Sequence, residues 1–454
     1  MNRLFARHGF VVASIVSASI ALASIVIAAW ISPLLRGQDR DDGKVYAIRG
    51  ATIHTLAGEP IEDGTVIMQG GRITGVGSKI GVPRGAQVVN AQGLHVYPGM
   101  LDAFSYVGLT EVGAVSATND ITEKGDFNPH LQAAIAVHPA SEHIPVTRAN
   151  GITHAVVAPG GTGRGSQPVI PGEASLMNLN GWTWEEMLVD PAVGMVVTWP
   201  AIDMPRRFSF GPPDQEQSDP SFRKAEEKYE ERVAEIENWL EASRHYGRAK
   251  QAGSLEAPDS KLEALLPVVE GSRRVLVVAN HARAIRNAVA FCQKHKLKMV
   301  LAGGAEAWKE KKLLSEKKIP VILGPTQAIP EEEDDPYDKL YSAPGELHQA
   351  GIKIAFGSFN SSDSRLLPYE AAMGVPFGLP REEALNAITR NPAEILGIAD
   401  RFGTVEEGKV ANLIVTDGDP LSITTEIRYL FIQGELTPTA NKHQQLYEKY
   451  LARP

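Results

Sequence analysis

The sequence has almost no cysteine and no excess of basic charge. Its 454 residues include one cysteine, Cys292, which excludes an intramolecular disulfide. Cys292 stands in helical phase with Ile285 and Val289, which predicts a buried small apolar residue rather than a reactive thiol. Lysine and arginine number 45 against 54 acidic residues, giving a formal charge of −9. Because no basic stripe is present, we expect no nucleic-acid partner.

The sequence also lacks the histidine spacings that place two metal ligands on one element. None of the 12 histidines stands two or four residues from another. Four histidines do fall close together in the sequence: His130, His138, His143 and His154. We interpret them as satisfied surface or core residues, with a metal site as the alternative.

Charge is missing from one long stretch near the N-terminus. Residues 10–35 carry no charged side chain and follow Arg3 and Arg7. A bilayer is spanned by about 20 apolar residues, and flanking arginines stay on the cytoplasmic side. Residues 1–43 are therefore predicted to be a signal anchor and tether in the cell inner membrane, with the globular part in the periplasm or outside the cell. A cleaved signal peptide is the alternative.

Short β-rich runs occupy both ends of the remaining chain. Residues 44–95 alternate such runs with Asp63-Gly64 and Gly70-Gly71, which are typical hairpin turns. Similar runs return at residues 404–436. We expect these two segments to form one composite β-sandwich, followed by a C-terminal helix at residues 437–454.

Between these ends, strand-like and helix-like runs alternate. This alternation predicts parallel βα units across residues 96–403, enough for a closed eightfold barrel, with an open doubly wound sheet as the alternative. An insertion at about residues 200–270 interrupts the pattern. Its helical stretch repeats Tyr229, Val233, Ile236 and Leu240 in a charged background. That stripe is expected to pack on the barrel, and a partner-binding helix is the alternative.

Two motifs resemble the amidohydrolase superfamily. Residues 93–109 run through Pro98-Gly99 into an apolar pair, Asp102 and a small residue, as does the first barrel strand of that family. Residues 389–397, TRNPAEILG, resemble a C-terminal run of the same family, and residues 284–308 more loosely resemble imidazolonepropionases. The resemblance implies a (β/α)8 TIM barrel with a small β-sandwich. It also implies zinc or another divalent metal at the C-terminal mouth of the barrel.

The metal ligands of the family are replaced by other residue types at the corresponding positions of this chain. Phe104 and Tyr106 stand where the family has its His-any-His pair, Asn178 where it often has a bridging lysine, and Phe359 where it has aspartate. The expected single histidines fall at Val278 or Ala279 and at Ala302 or Gly303. We therefore predict a degenerate site with no metal cofactor. Alternative ligands are His130, His138 and Asp363.

These patterns favour a non-catalytic binding or partner subunit of the amidohydrolase type. Its expected partner is an active relative or a second copy of the same chain. The alternative is a hydrolase that acts on carbon–nitrogen bonds of cyclic amides or small peptides, through a displaced or metal-independent site.

Overall fold

The computed structural model describes residues 43–161, 167–202, 222–330 and 332–453. The predicted anchor at residues 10–35 lies outside these residues. Within the described part of the chain, no helix is long and apolar enough to cross a membrane.

Residues 43–98 fold into five strands. They are β1 (Val45–Ile53), β2 (Ile61–Gln69), β3 (Arg72–Gly77), β4 (Gln87–Asn90) and β5 (His95–Pro98). β1 pairs antiparallel with β2 and parallel with β4 and β5, while β2 pairs antiparallel with β3. The turn between β2 and β3 is Gly70-Gly71, with φ of 56° and 74°. A two-residue hairpin of this kind needs positive φ, which glycine adopts without strain.

The next eight strands form a barrel in the order of the sequence. They are β6 (Met100–Ser105), β7 (Ile152–Val157), β8 (Gly172–Asn178), β9 (Leu188–Thr198), β10 (Arg274–Ala279), β11 (Lys298–Gly303), β12 (Val321–Leu323) and β13 (Ile354–Phe356). The ring is nearly closed, because the N–H of Phe359, just after β13, donates to the carbonyl oxygen of Phe104 at 2.9 Å. The alternative of an open doubly wound sheet is therefore wrong. Apolar side chains such as Leu101, Leu276 and Ile322 fill the interior.

One strand runs against the others. β8 pairs antiparallel with both β7 and β9, whereas the other neighbouring strands are parallel. The prediction of eight parallel βα units is wrong here, and the connection from β8 to β9 is too short for a parallel crossover. Only nine residues, 179–187, separate β8 from β9, and a parallel crossover needs about a dozen or more.

The C-terminal strands complete the sheet that the N-terminal strands begin. β14 (Leu413–Thr416), β15 (Ile427–Ile432) and β16 (Glu435–Thr437) follow the barrel. β14 pairs antiparallel with β5, so both chain ends share one eight-stranded sheet. Alternate residues of this part divide between two cores: Leu413 and Phe431 face the small domain, whereas Ile414 and Leu430 pack with the outer core of the barrel.

The α-helices of the described residues lie mainly around the barrel. They are α1 (His143–Arg148), α2 (Trp184–Met187), α3 (Phe222–Gln251), α4 (Ser260–Val269), α5 (Ala282–Lys294), α6 (Lys311–Glu316), α7 (Lys339–Gln349), α8 (Leu367–Met373), α9 (Arg381–Asn386), α10 (Arg390–Leu396) and α11 (Lys442–Leu451). Cys292 is buried on α5 with Ile285 and Val289, which confirms the sequence prediction. Burial raises the pKa of its thiol to about 12.

For two of these helices, the structure adds to the prediction. On α3, Ile236 and Leu240 are buried in the outer core of the barrel, so this stripe packs inward and is not a free partner surface. Within the predicted C-terminal segment 437–454, the helix begins after Asn441, and residue 437 still belongs to β16. The side chain of Asn441 caps α11 by accepting from the N–H groups of His443 and Gln444.

Candidate functional site

Two stacked phenyl rings lie at the mouth of the barrel, the end where the parallel strands finish. Phe104 stands near the end of β6 and Phe359 follows β13, and their ring centroids are 4.4 Å apart at an angle of 16°. The ring of Tyr106 packs against that of Phe104 in a T-shaped arrangement, with centroids 6.1 Å apart and an angle of 77°. All three side chains are buried. This part of the mouth is therefore filled by aromatic carbon.

The aromatic pair depends on an irregular backbone at both residues. The pairing of β6 with β7 shifts register between Asp102 and Ser105, so both Ala103 and Phe104 join the interior cluster. Phe359 has φ of 48°, a left-handed conformation that is unfavourable for a bulky residue. Such a conformation persists only where the surrounding contacts hold it in place.

Asp102 supplies those contacts. Its carboxylate accepts from the N–H of Ser358 at 2.9 Å and from the hydroxyl of Ser364 at 2.7 Å, both in the segment that follows β13. It also accepts from the N–H of Phe104 at 3.3 Å. Burial raises the pKa of Asp102, and the hydrogen bonds from Ser358 and Ser364 oppose that rise. Asp102 therefore positions the mouth without facing its interior.

Asn178 lies at the opposite end of the barrel. Because β8 is antiparallel, its last residue pairs with His154 near the start of β7. The side-chain oxygen of Asn178 accepts from the amide of Asn412, at the start of the C-terminal strands, at 3.0 Å. Its predicted place at the mouth is wrong, because the sequence motif does not reveal the direction in which the strand runs.

The alternative ligands are not gathered into a metal site. His130, His138 and Asp363 are exposed, and Asp363 lies 3.7 Å from the guanidinium of Arg365. Within the described ranges, none of the three belongs to a group of three potential ligands.

A group that the sequence analysis missed lies at the outer rim of the mouth. Ligand atoms of His281, Glu306 and Glu332 lie within 4.8 Å of one another, in the segments that follow β10, β11 and β12. Glu306 already has partners: it accepts from the N–H of Ala282 at 2.6 Å and pairs with Lys309 at 2.8 Å. The sequence signal that could have revealed this group is that each residue lies in the segment after one of three consecutive strands of the predicted barrel.

A cavity of about 140 Å³ lies beside the aromatic pair. It is lined by residues from the ends of β10, β11 and β12, by α7 and by Phe359. Its lining contains no charged residue. The side chain of Thr326 is committed elsewhere, since its hydroxyl donates to the carboxylate of Glu370 at 2.7 Å. The cavity is therefore apolar, with few polar groups available to an occupant.

Comparison with known proteins identifies the family. The sequence model of the amidohydrolase family matches residues 247–439. A stretch of 68 residues is 40% identical to the imidazolonepropionase of Thermoplasma acidophilum, over 15% of this chain and 16% of that protein. The chain belongs to the amidohydrolase superfamily. The resemblance seen in the sequence motifs is thereby confirmed.

Other relatives of this amidohydrolase-family chain cover more of its length. It is 24% identical over 444 residues to amidohydrolase tasK of Hapsidospora irregularis, over 86% of this chain and 43% of tasK. The chain thus spans less than half of that relative. A crystal structure of an amidohydrolase from Thermotoga maritima has a TM-score of 0.73 at 24% identity, covering 87% of this chain and 99% of its own. A prolidase complexed with N-methylphosphonate-L-proline has a TM-score of 0.53 at 18% identity, with the same coverage. At these identities, the likeness to solved structures shows the fold alone.

Proposed function

We propose that this chain is a non-catalytic binding or partner subunit built on an amidohydrolase barrel. The observation that carries the proposal is the stacked pair of Phe104 and Phe359 at the mouth. These residues stand where the family resemblance implies a histidine and an aspartate. A phenyl ring offers no lone pair to a metal ion and no proton to a substrate.

The residues at the family's other ligand positions fit a divalent metal no better. Tyr106 has a phenol oxygen, but burial raises the pKa of that phenol, which opposes formation of a phenolate. Ala279, Ala302 and Gly303 have no side-chain donor at the positions where single histidines are implied. A catalytic zinc site needs about three protein ligands and one open position. The described mouth interior does not supply such a set, so we derive no metal-dependent step there.

Metal content and hydrolysis, measured together on the full chain, test this role. We expect zinc, manganese and iron far below one ion per chain, and no hydrolysis of a panel of cyclic amides and dipeptides. The double variant Phe104→His/Tyr106→His should remain inactive, because it restores two ligands while Phe359 is unchanged. Near-stoichiometric metal in the wild type, with turnover that a chelator abolishes, would contradict the proposal.

The rim group favours a second candidate, a hydrolase with a displaced metal site. His281, Glu306 and Glu332 bring one imidazole and two carboxylates together, which is a plausible donor set for a divalent ion. Lys309 weighs against it, because its ammonium already neutralises Glu306. If this candidate is right, bound metal and hydrolysis are both lost in His281→Ala and retained in His130→Ala, an exposed control.

We further propose that the globular part lies outside the cytoplasm, held by the apolar stretch 10–35. The support is the sequence of that stretch and its flanking arginines. A reporter enzyme that works only outside the cytoplasm should be active when fused after Pro454. An inactive fusion that is nevertheless produced at full length would contradict this location.

A further inference from the structure

The cavity beside Phe359 has the size and lining of a ligand site. We propose that it binds a small, neutral, mainly apolar molecule that carries one amide-type polar group. The apolar part of the ligand lies inside the cavity and its polar group lies at Asn280. This proposal deepens the binding role given above and rests on it.

Part of the space exists because a glycine follows the end of β12, beside two glycines at the end of β11. Gly303 and Gly304 have φ of 89° and 61°, a region that glycine adopts without strain. Gly324 has an ordinary backbone conformation, and the nearest atoms to an added Cβ lie 3.9 Å away, on Gly303 and on the ring of Phe359. A side chain at position 324 would therefore enter open space in the cavity. An added Cβ at Gly303 or Gly304 would instead meet the side chain of Asn280 or those of Val321 and Ala307, so it is Gly324 that keeps this part of the mouth empty.

The volume sets the size of the occupant. An apolar cavity of about 150 Å³ is enough to hold one benzene ring. At about 140 Å³, this cavity accommodates a single aromatic ring or a branched aliphatic group of similar size. Leu323, Leu340 and Phe359 supply apolar carbon around it.

The charges around the cavity determine that the occupant is neutral. The nearby ammonium of Lys309 is paired with Glu306 and with Asp335, both at 2.8 Å, and none of these residues lines the cavity. An ionised ligand would lose its hydration without gaining a counter-charge, which costs several kcal/mol. Carboxylates and amines are therefore disfavoured.

One polar side chain on the lining is available. Among the residues that the structure describes, none forms a hydrogen bond with the side-chain amide of Asn280, which is half-buried. An amide both donates and accepts, so it matches the amide of a ligand in either orientation. Ligand sites are typically apolar with a few such polar groups.

The loop after β12 also lines the cavity, with an anchored start and an exposed apolar side chain further along. Glu370 accepts from the N–H groups of Thr326 and Gln327, at 2.6 and 3.0 Å, and so holds the start of the loop after β12. Further along the loop, Ile329 lines the cavity yet is 89% exposed. An apolar occupant would cover part of this side chain, which favours binding.

Three isosteric probes of different charge test the proposal on the full chain. They are benzamide, benzoate and benzamidinium, with binding measured by ligand-observed NMR titration. Benzamide should bind, and the two ions should bind roughly tenfold or more weakly, because neither charge finds a counter-ion in the cavity. Failure of benzamide to bind, or equal binding of an ion, would overturn the proposal.

Two variants locate the binding. Gly324→Val fills the cavity without backbone strain and should abolish benzamide binding, whereas Gly58→Val, at an exposed glycine with nothing within 4 Å of an added Cβ, should not. Asn280→Asp places a carboxylate at the polar group and should shift the preference from benzamide to benzamidinium. Unchanged binding in both cavity variants would place the probe elsewhere and refute the assignment.

Metal analysis of the same preparations distinguishes failure of the non-catalytic role from failure of the cavity proposal. Metal-dependent hydrolysis would refute the non-catalytic role even if benzamide binds. Absence of both metal and benzamide binding would refute only the cavity proposal.

Discussion

The two ends of the barrel differ in a way that reverses the usual expectation for this fold. The mouth, where barrels normally place polar catalytic groups, has Phe104 against Phe359. The opposite end buries His154 and Asn178, whose Nε2 and Nδ2 atoms have no hydrogen-bond partner within the described residues. Polar residue types inside a barrel therefore do not by themselves mark the functional end.

The polar end connects the barrel to the small domain. Asn178 accepts from Asn412, and the side-chain oxygen of Asn412 accepts from the N–H of Gln433 at 2.8 Å. The imidazole of His154 lies 2.7 Å from the hydroxyl of Thr153 and packs on the ring of Phe402, with centroids 4.8 Å apart. Burial lowers the pKa of His154 to about 3, so it is neutral at physiological pH. This end is a structural contact between the two domains.

The largest expected effect tests whether the mouth depends on a buried carboxylate. Asp102→Ala removes the acceptor of three donors, two of them in the segment that carries Phe359. We expect a loss of unfolding free energy of about 3–5 kcal/mol, since buried donors are left unsatisfied. Urea denaturation measures this. Asp363→Ala, at an exposed position of the same segment, should change stability by less than about 0.5 kcal/mol.

The second prediction concerns the polar end and its response to pH. The folded pKa of His154 lies near 3, below the unfolded value of 6.5. The unfolded chain therefore takes up a proton first, and stability is lost as pH falls below 6.5 towards 3. Between pH 7 and 5 this group should account for about 2 kcal/mol of the loss.

His154→Phe isolates that contribution. The variant keeps a ring against Phe402 and should flatten the pH dependence of stability across this range. His130→Gln, at an exposed histidine, serves as the control and should leave the dependence unchanged. A wild-type dependence that persists in His154→Phe would show that other groups cause it.

The smallest expected change in stability concerns the left-handed backbone conformation of Phe359 at the mouth. Both Phe359→Ala and Phe359→Gly remove the stacked ring, but only glycine adopts φ of 48° without strain. We expect the glycine variant to be more stable than the alanine variant by about 1 kcal/mol, as measured by thermal and urea unfolding.

Position 104 provides the matched comparison. Phe104 lies in β6, so the order there should reverse, with alanine more stable than glycine. The same order at both positions would indicate that backbone conformation does not distinguish the two sides of the aromatic pair.

Much of the architecture followed from local patterns. Strand-like apolar runs that alternate with helix-like runs predicted the strands of the barrel, and the Pro98-Gly99 motif identified the first of them. Both signals are local, because strand periodicity and turn chemistry act over only a few residues. The rim group was not predicted, since His281, Glu306 and Glu332 are distant in sequence and meet only where three strands end. The cavity was not predicted either, because it depends on how Gly324, Phe359 and the neighbouring strand ends are arranged in space.

The sequence by itself determined the family, the strand-and-helix order and the aromatic character of positions 104 and 359. These follow from residue type and short-range spacing, which are fully present in the chain. Only the tertiary structure decided the direction of β8, and with it the end of the barrel at which Asn178 lies. A strand has the same alternation in either direction, so its orientation is fixed by the length of its connections and by the partners with which it pairs.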